Sequence, residues 1–250
     1  MAGHSKWNNI KRKKGAADQR RGRLFTKLSK EIMVAARLGG GDPAGNPRLR
    51  LAIDAARGQS MPMDNIVRAV KKGTGELEGG QLEEVVYEGY GPGGVAFILE
   101  AATDNTTRTL NEVRNIFDKT GGSFAKVGAV AFLFQRLGMI RVPQERYSEE
   151  EVAEAAIEAG AEDIRVEDDA VVVYTQVSDF HAVQTALDKA GIQPEITEFT
   201  MEPSTLVACD EEMAKRNLKL LEKLEDNDDV QNVWTNMDIP DDVLGRLEPA

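Results

Sequence analysis

The chain has 250 residues, 41% hydrophobic and 29% charged, with a formal net charge of −11 and a pI near 4.9. That length exceeds a usual single core and predicts two or three compact units. A single cysteine, Cys209, excludes an intramolecular disulfide, and two histidines, His4 and His181, leave no cluster with zinc-ligand spacing.

The bulk pI hides a strong asymmetry. Residues 1–72 hold seventeen of the 31 Lys/Arg and five of the 42 Asp/Glu, a balance of about +12, which leaves about −23 on the rest. A basic module for a polyanion, carried on an acidic body that phosphate would repel, makes nucleic acid the leading partner. No apolar run approaches the roughly 20 residues of a membrane span, and no apolar core of a secretory signal is visible. A cytoplasmic protein with no membrane partner is expected, and nothing in the residues calls for a cofactor.

In chain order, the first element is a basic arm with Lys6, Trp7, Lys11, Arg12, Lys13 and Lys14, too poor in apolar residues to build a core. It is expected to order on a phosphate backbone, with counterion release supplying affinity and Trp7 stacking on a base. A solvated tail and a targeting signal are the plainer readings of such a run. From Asp18 to Leu38 the period becomes helical, with Leu24, Phe25, Leu28, Ile32, Ala35 and Ala36 on one face. Arg20, Arg23, Lys27, Lys30 and Arg37 form a basic stripe on the other, with Arg21 beside it. Glycines 39–41 end this helix. Asn46 before Pro47 reads as an N-cap with Pro at the first helical position, opening a helix to about Arg57. A third helix starts at Met61–Asp64, carries Arg68, Lys71 and Lys72, and stops at Gly73. A helix-turn-helix reader of the major groove is one use of such a pair, with Asn65 and Arg68 as base readers. The preponderance of Lys and Arg suits phosphate contact better.

Residues 73–81 are Gly-rich and mark the change from basic to acidic composition. Strands are predicted at Val85–Tyr90 and Val95–Thr103, a helix over Leu110–Phe117, and a further strand at Val127–Phe134. A helix over Asp210–Leu224 and a strand at Val230–Trp234 complete that domain from a distance. Between them the order is β-α-β-β-α-β, with Ser148 and Glu151 as a capping box and Gly160 and Gly191 closing the helices, the signature of a ferredoxin-like insert. The domains are therefore 1–75, 80–135 together with 205–245, and 137–204. The fold class is α+β: a three-helix module followed by two α/β sandwiches, one inserted in the other. The insert is acidic and offers only Tyr174 and Phe199 as strand aromatics, which fits a protein-facing or spacer role rather than RNA binding.

Three features tempt. Gly89–Gly94 matches GxGxxG but precedes a strand, so a hairpin turn is the simpler reading than a pyrophosphate site. Cys209 has no His–carboxylate arrangement around it. The acidic runs at 149–151, 168–169 and 226–229 match no calcium loop and read as solvated faces and caps.

The segments GHSKW at 3–7, LSKEIMVAARLGGGDPAGNPRLRLAI at 28–53, MPMDNIVRAVKKGTG at 61–75, EGYGPGGVA from 88 and TDNTTRT from 103 closely resemble the YebC family. The likeness is strongest through about residue 117 and continues beyond Phe134 as length and domain order. Ser123–Val130 departs from the Leu-Gly and Gly-Ser pairs usual there. The resemblance implies an all-helical domain followed by two α+β domains. It also implies a regulator of gene expression. Some members are labelled DNA-binding transcriptional regulators, others are ribosome-associated translation factors, and organellar relatives are translational activators of cytochrome c oxidase. It carries no catalytic residue set, so a non-enzymatic protein is expected. DNA and ribosomal RNA remain alternative targets, and either a ribosome or an RNA polymerase suits the acidic domains. A purely structural interaction protein is the third class.

Overall fold

The computed structural model describes residues 17–79, 81–167 and 169–247, with side chains from residue 22 onward. The chain divides into two compact units, Phe134–Ser204 and a second built from the segments on either side of it.

Among the described residues the second unit begins with three helices, α1 (Ala17–Gly39), α2 (Pro47–Gly58) and α3 (Met63–Gly73). Their apolar faces bury Ile32, Ala35, Leu49, Ala52, Ile53, Ala56 and Ile66. Asn46 caps α2 by accepting from the Leu49 N–H, while its amide donates to the carbonyls of Ala35 and Gly40 at 2.8 and 2.9 Å, so one buried side chain joins two helices. Gly73 sits so close to α1 that a Cβ there would lie 2.4 Å from the Met33 carbonyl oxygen.

Next come β1 (Glu83–Tyr90), β2 (Ala96–Thr103), α4 (Thr106–Thr120) and β3 (Ser123–Ala125). The GxGxxG stretch joins β1 to β2 as an antiparallel hairpin, with the Gly91 N–H on the Val95 carbonyl. Gly93 and Gly94 have φ of +77° and +79°, a conformation glycine adopts without strain. The strand expected over Val127–Phe134 is absent. In its place Gly128, Val130 and Ala131 turn inward to donate their N–H groups to the buried carboxylate of Glu88, which outcompetes a ladder for that segment.

The inserted unit runs β4 (Phe134–Pro143), α5 (Glu149–Ile157), β5 (Ala161–Glu167), β6 (Ala170–Thr175), α6 (Phe180–Lys189) and β7 (Ile196–Pro203). Its antiparallel sheet has the order β5-β6-β4-β7, the ferredoxin-like arrangement. Ser148 and Glu151 form the reciprocal capping box. Phe134 and Pro203, at the two ends of the unit, are register partners.

The chain then completes the first sheet with β8 (Val207–Ala208), α7 (Glu211–Glu225), β9 (Val230–Thr235), β10 (Met237–Asp238) and α8 (Asp241–Leu247). β8 and β10 form a short parallel pair; neither they nor α8 was expected from the sequence. The main sheet has the order β3-β1-β2-β9, all antiparallel. Phe97, Leu99, Val113, Phe117, Leu220, Leu221 and Val233 form the core beneath α4 and α7. Ala102, of opposite parity on β2, packs with Leu82 and with Val34 of α1, so the helical module rests on the other face.

Candidate nucleic-acid interface

The basic stripe of α1 follows from spacing: residues 23, 27 and 30 recur every three or four positions and share one face. In the fold that face meets the loop after α7. Arg23 bonds Asp226 at 2.6 Å, Lys27 donates to the Glu225 carbonyl at 2.6 Å, and Lys30 donates to the Asp228 carbonyl and the Asp229 carboxylate at 2.9 and 2.6 Å. The last carbonyls of a helix are its negative pole, so Lys27 on the Glu225 carbonyl satisfies an orphan acceptor of α7 as well as charge.

Asp229 is the centre of this contact. Besides Lys30 it receives Arg108 at 2.6 Å, Thr109 at 2.7 Å and Thr103 at 3.2 Å. Burial alone would raise its carboxyl, but bonds from Lys30, Arg108 and Thr109 outweigh burial and hold it well below the usual carboxylate range. The side chains of Lys30 and Asp229 are 16% and 8% exposed. This acidic loop is therefore a bonded counterpart of the stripe rather than a solvated face. The sequence carried one sign of it, a carboxylate run in the body facing a cation-rich module. A second clamp, Arg48, bridges Glu31 of α1 and Glu84 of β1 at 2.8 and 2.6 Å.

The remaining described cations of α1 and α3 behave differently. Arg37 lies in the last turn of α1, Lys71 and Lys72 in that of α3, and Arg68 one turn earlier. The contact of Gly73 with Met33 and Ala36 brings these two helix ends together. Among the described residues none of the four side chains makes an ion pair or a hydrogen bond, and Arg37, Arg68 and Lys71 are exposed. Cations at two helix C-termini are favoured by both dipoles. The exposed start of α3 carries Met63, Asp64 and Asn65, with Asp64 the charged residue of its first turn. Lys6, Trp7, Lys11, Arg12, Lys13 and Lys14 lie outside the described residues, and Arg20 and Arg21 fall on α1 with side chains outside them.

One tempting feature takes a plain structural role. Cys209 is buried, its thiol pushed up to about 11 by burial and then by Asp210 and Asp238, which keeps it protonated at neutral pH. Among the described residues no group of three or more His, Cys, Asp or Glu is placed to hold a metal ion, and no helix is long and apolar enough to cross a membrane.

The family model described as the TACO1/YebC protein N-terminal domain matches residues 5–76, and that described as the TACO1/YebC second and third domain matches 82–237. The chain belongs to the TACO1/YebC family. A relative from Sulfurihydrogenibium sp., named a probable transcriptional regulatory protein, is 54% identical over 250 residues, 99% of this chain and 100% of the relative. One from Chlorobaculum tepidum with the same description is 53% identical over 249 residues, covering 99% of each. The crystal structure of a conserved hypothetical protein from Aquifex aeolicus superposes with a TM-score of 0.84 at 50% identity, covering 91% of this chain and 95% of that one. The α+β class and the three-helix start agree with that family fold.

Proposed function

We propose that the chain is a non-enzymatic, cytoplasmic regulator of gene expression that grips nucleic acid with its N-terminal arm and the cations at the joined ends of α1 and α3. The observation that carries this reading is the division among the cations of α1 and α3. Arg23 and Lys30 are spent on the protein's own carboxylates and Lys27 on a backbone carbonyl, whereas Arg37, Arg68, Lys71 and Lys72 stand without a described partner. Unpaired positive charge in a protein of net charge −11 is where phosphate oxygens would be drawn, and such contacts fix position without reading sequence. The names of the relatives favour a transcriptional role. Ribosomal RNA is the second reading, favoured by Asp64 at the exposed start of α3, where a groove-reading helix would present base readers. The acidic domains would then face the protein partners of the assembly, a polymerase or a ribosome.

The deciding experiment is co-sedimentation with the protein's own ribosomes in the presence of excess duplex DNA at two salt concentrations. Retention on ribosomes selects the translation reading, and transfer to DNA selects the transcriptional one. Alanine at Arg37, Arg68, Lys71 and Lys72 together is expected to weaken binding uniformly across sequences and to reduce the salt slope by about three to four. An unchanged slope would remove this cluster from the interface.

A further inference from the structure

The sheet of the larger unit has one strand position left half empty. β3 pairs with β1 over three residues, Glu88 with Ala125, Gly89 with Phe124 and Tyr90 with Ser123. β1 runs on through Glu83–Tyr87, paired there with β2 alone. Among the described residues no strand occupies the outer side of that stretch. Glu88 is the cause: its carboxylate gathers the N–H groups of Gly128, Val130 and Ala131, so the chain leaves the sheet at Lys126 instead of continuing beside β1. At about 3.4 Å per residue, five residues leave an opening about 17 Å long.

A cleft of about 420 Å³ borders this opening, with Val85, Tyr87, Leu110 and Phe124 on the α4 side, and Val86, Glu88 and Val127 line it too. Val86 and Val127 are 39% and 83% exposed. Val85 and Tyr87 pack toward the core under α4 while Val86 has the opposite parity, so both faces of a strand laid here would meet apolar side chains. Two cations line the same cleft. The Arg114 guanidinium lies over the Phe124 ring at 5.4 Å, and Lys126 marks the point where the chain leaves the sheet. Among the described residues neither makes an ion pair. The Glu88 carboxylate on the same cleft is taken up by three N–H groups, so in a chain carrying −11 the two unpaired cations are complementary to an incoming carboxylate.

We propose that this opening receives an extended peptide from a partner protein, added as a strand beside Glu83–Tyr87 with an acidic side chain facing Arg114 and Lys126. Main-chain bonds to the vacant edge give the affinity, and the alternating apolar contacts and the carboxylate give the selectivity. The site uses none of the residues assigned to nucleic acid and stands whether or not that assignment does.

The test uses the full-length, isotope-labelled protein and a capped nonapeptide of alternating threonine and valine with a central glutamate. Saturable shifts of the amides of Val85–Tyr87 and Phe124–Val127 are expected. The same peptide with lysine in place of glutamate should bind at least tenfold more weakly, and one N-methylated at alternate amides should not bind. Arg114→Glu combined with Lys126→Glu should reverse the preference between the glutamate and lysine peptides. Both residues are exposed, and an unchanged melting temperature confirms that the double variant folds. Absence of saturable shifts at millimolar peptide, equal binding of the N-methylated peptide, or shifts confined to other segments would overturn the proposal. Concentration-dependent dimerisation that moves the same amides would overturn it too, by seating a second copy in the opening.

Discussion

Asp229 concentrates more bonds than any other described carboxylate, and its two cationic partners come from helices far apart in sequence, Lys30 of α1 and Arg108 of α4. Replacing it by asparagine keeps the shape but leaves the largely buried Lys30 without its counter-charge, while Arg108 keeps Asp104 at 2.9 Å. A loss of about 3 kcal/mol in urea unfolding is expected. The depressed carboxyl contributes stability that is fully present above its unfolded-state value, near 3.9, and is lost as pH falls below that toward the folded value. The stabilities of the wild type and Asp229→Asn should therefore converge on acidification below about pH 4 and stay apart above it. Glu88 offers a second test. Its carboxylate accepts from Gly128, Val130 and Ala131 at 2.5, 2.6 and 2.9 Å. Glutamine can accept but also presents an NH2 group to donors, so Glu88→Gln should cost about 2 kcal/mol and speed hydrogen exchange at those three amides.

At the scale of elements, helix ends were the most legible features because their signals are local. Asn46 with Pro47, Ser148 with Glu151 and Gly73 at the end of α3 each use chemistry contained within a few residues, and each terminus formed where that chemistry placed it. Asn46→Ala should cost about 2 kcal/mol, the cap plus two carbonyls left without their donor, and should raise exchange throughout α2. Gly73→Ala should cost about 1–3 kcal/mol for a different reason, since the new methyl meets a backbone oxygen that cannot swing aside. The element that misled was Val127–Phe134, whose valines and phenylalanines have every local preference for a strand. What diverts it is a glutamate some 40 residues earlier in the chain, and no window along the sequence contains both. The short β8–β10 pair was hidden for the same reason, because two-residue strands carry no period. The candidate interface was half legible. Charge and periodicity found the stripe, but only the tertiary fold shows that Arg23, Lys27 and Lys30 already have partners while Arg37, Arg68, Lys71 and Lys72 have none among the described residues.

For the whole molecule, the helical module is at once a core of its own and a docked part. Ile32, Leu49 and Ile66 pack within it, but Val34 relies on Leu82 and Ala102, and Lys30 relies on Asp229. A fragment ending at residue 79 is expected to keep its helicity by circular dichroism and to unfold at lower denaturant than the module does in the full chain. If the stripe is able to meet phosphate, the fragment should also bind nucleic acid more tightly, with a salt slope steeper by about two to three as the three α1 cations are released. An unchanged slope would show that the stripe serves the fold alone. The order of synthesis gives this contact a history. β2 acquires its neighbour β9 only when residues 230–235 have been made, whereas the Phe134–Ser204 unit closes upon itself, first strand against last, well before then. In the growing chain a finished body is thus held between the halves of an unfinished one. Throughout that interval Arg23, Lys27 and Lys30 have been made while the loop whose carboxylates and carbonyls will hold them has not, so a nascent copy presents three more free cations than a mature one.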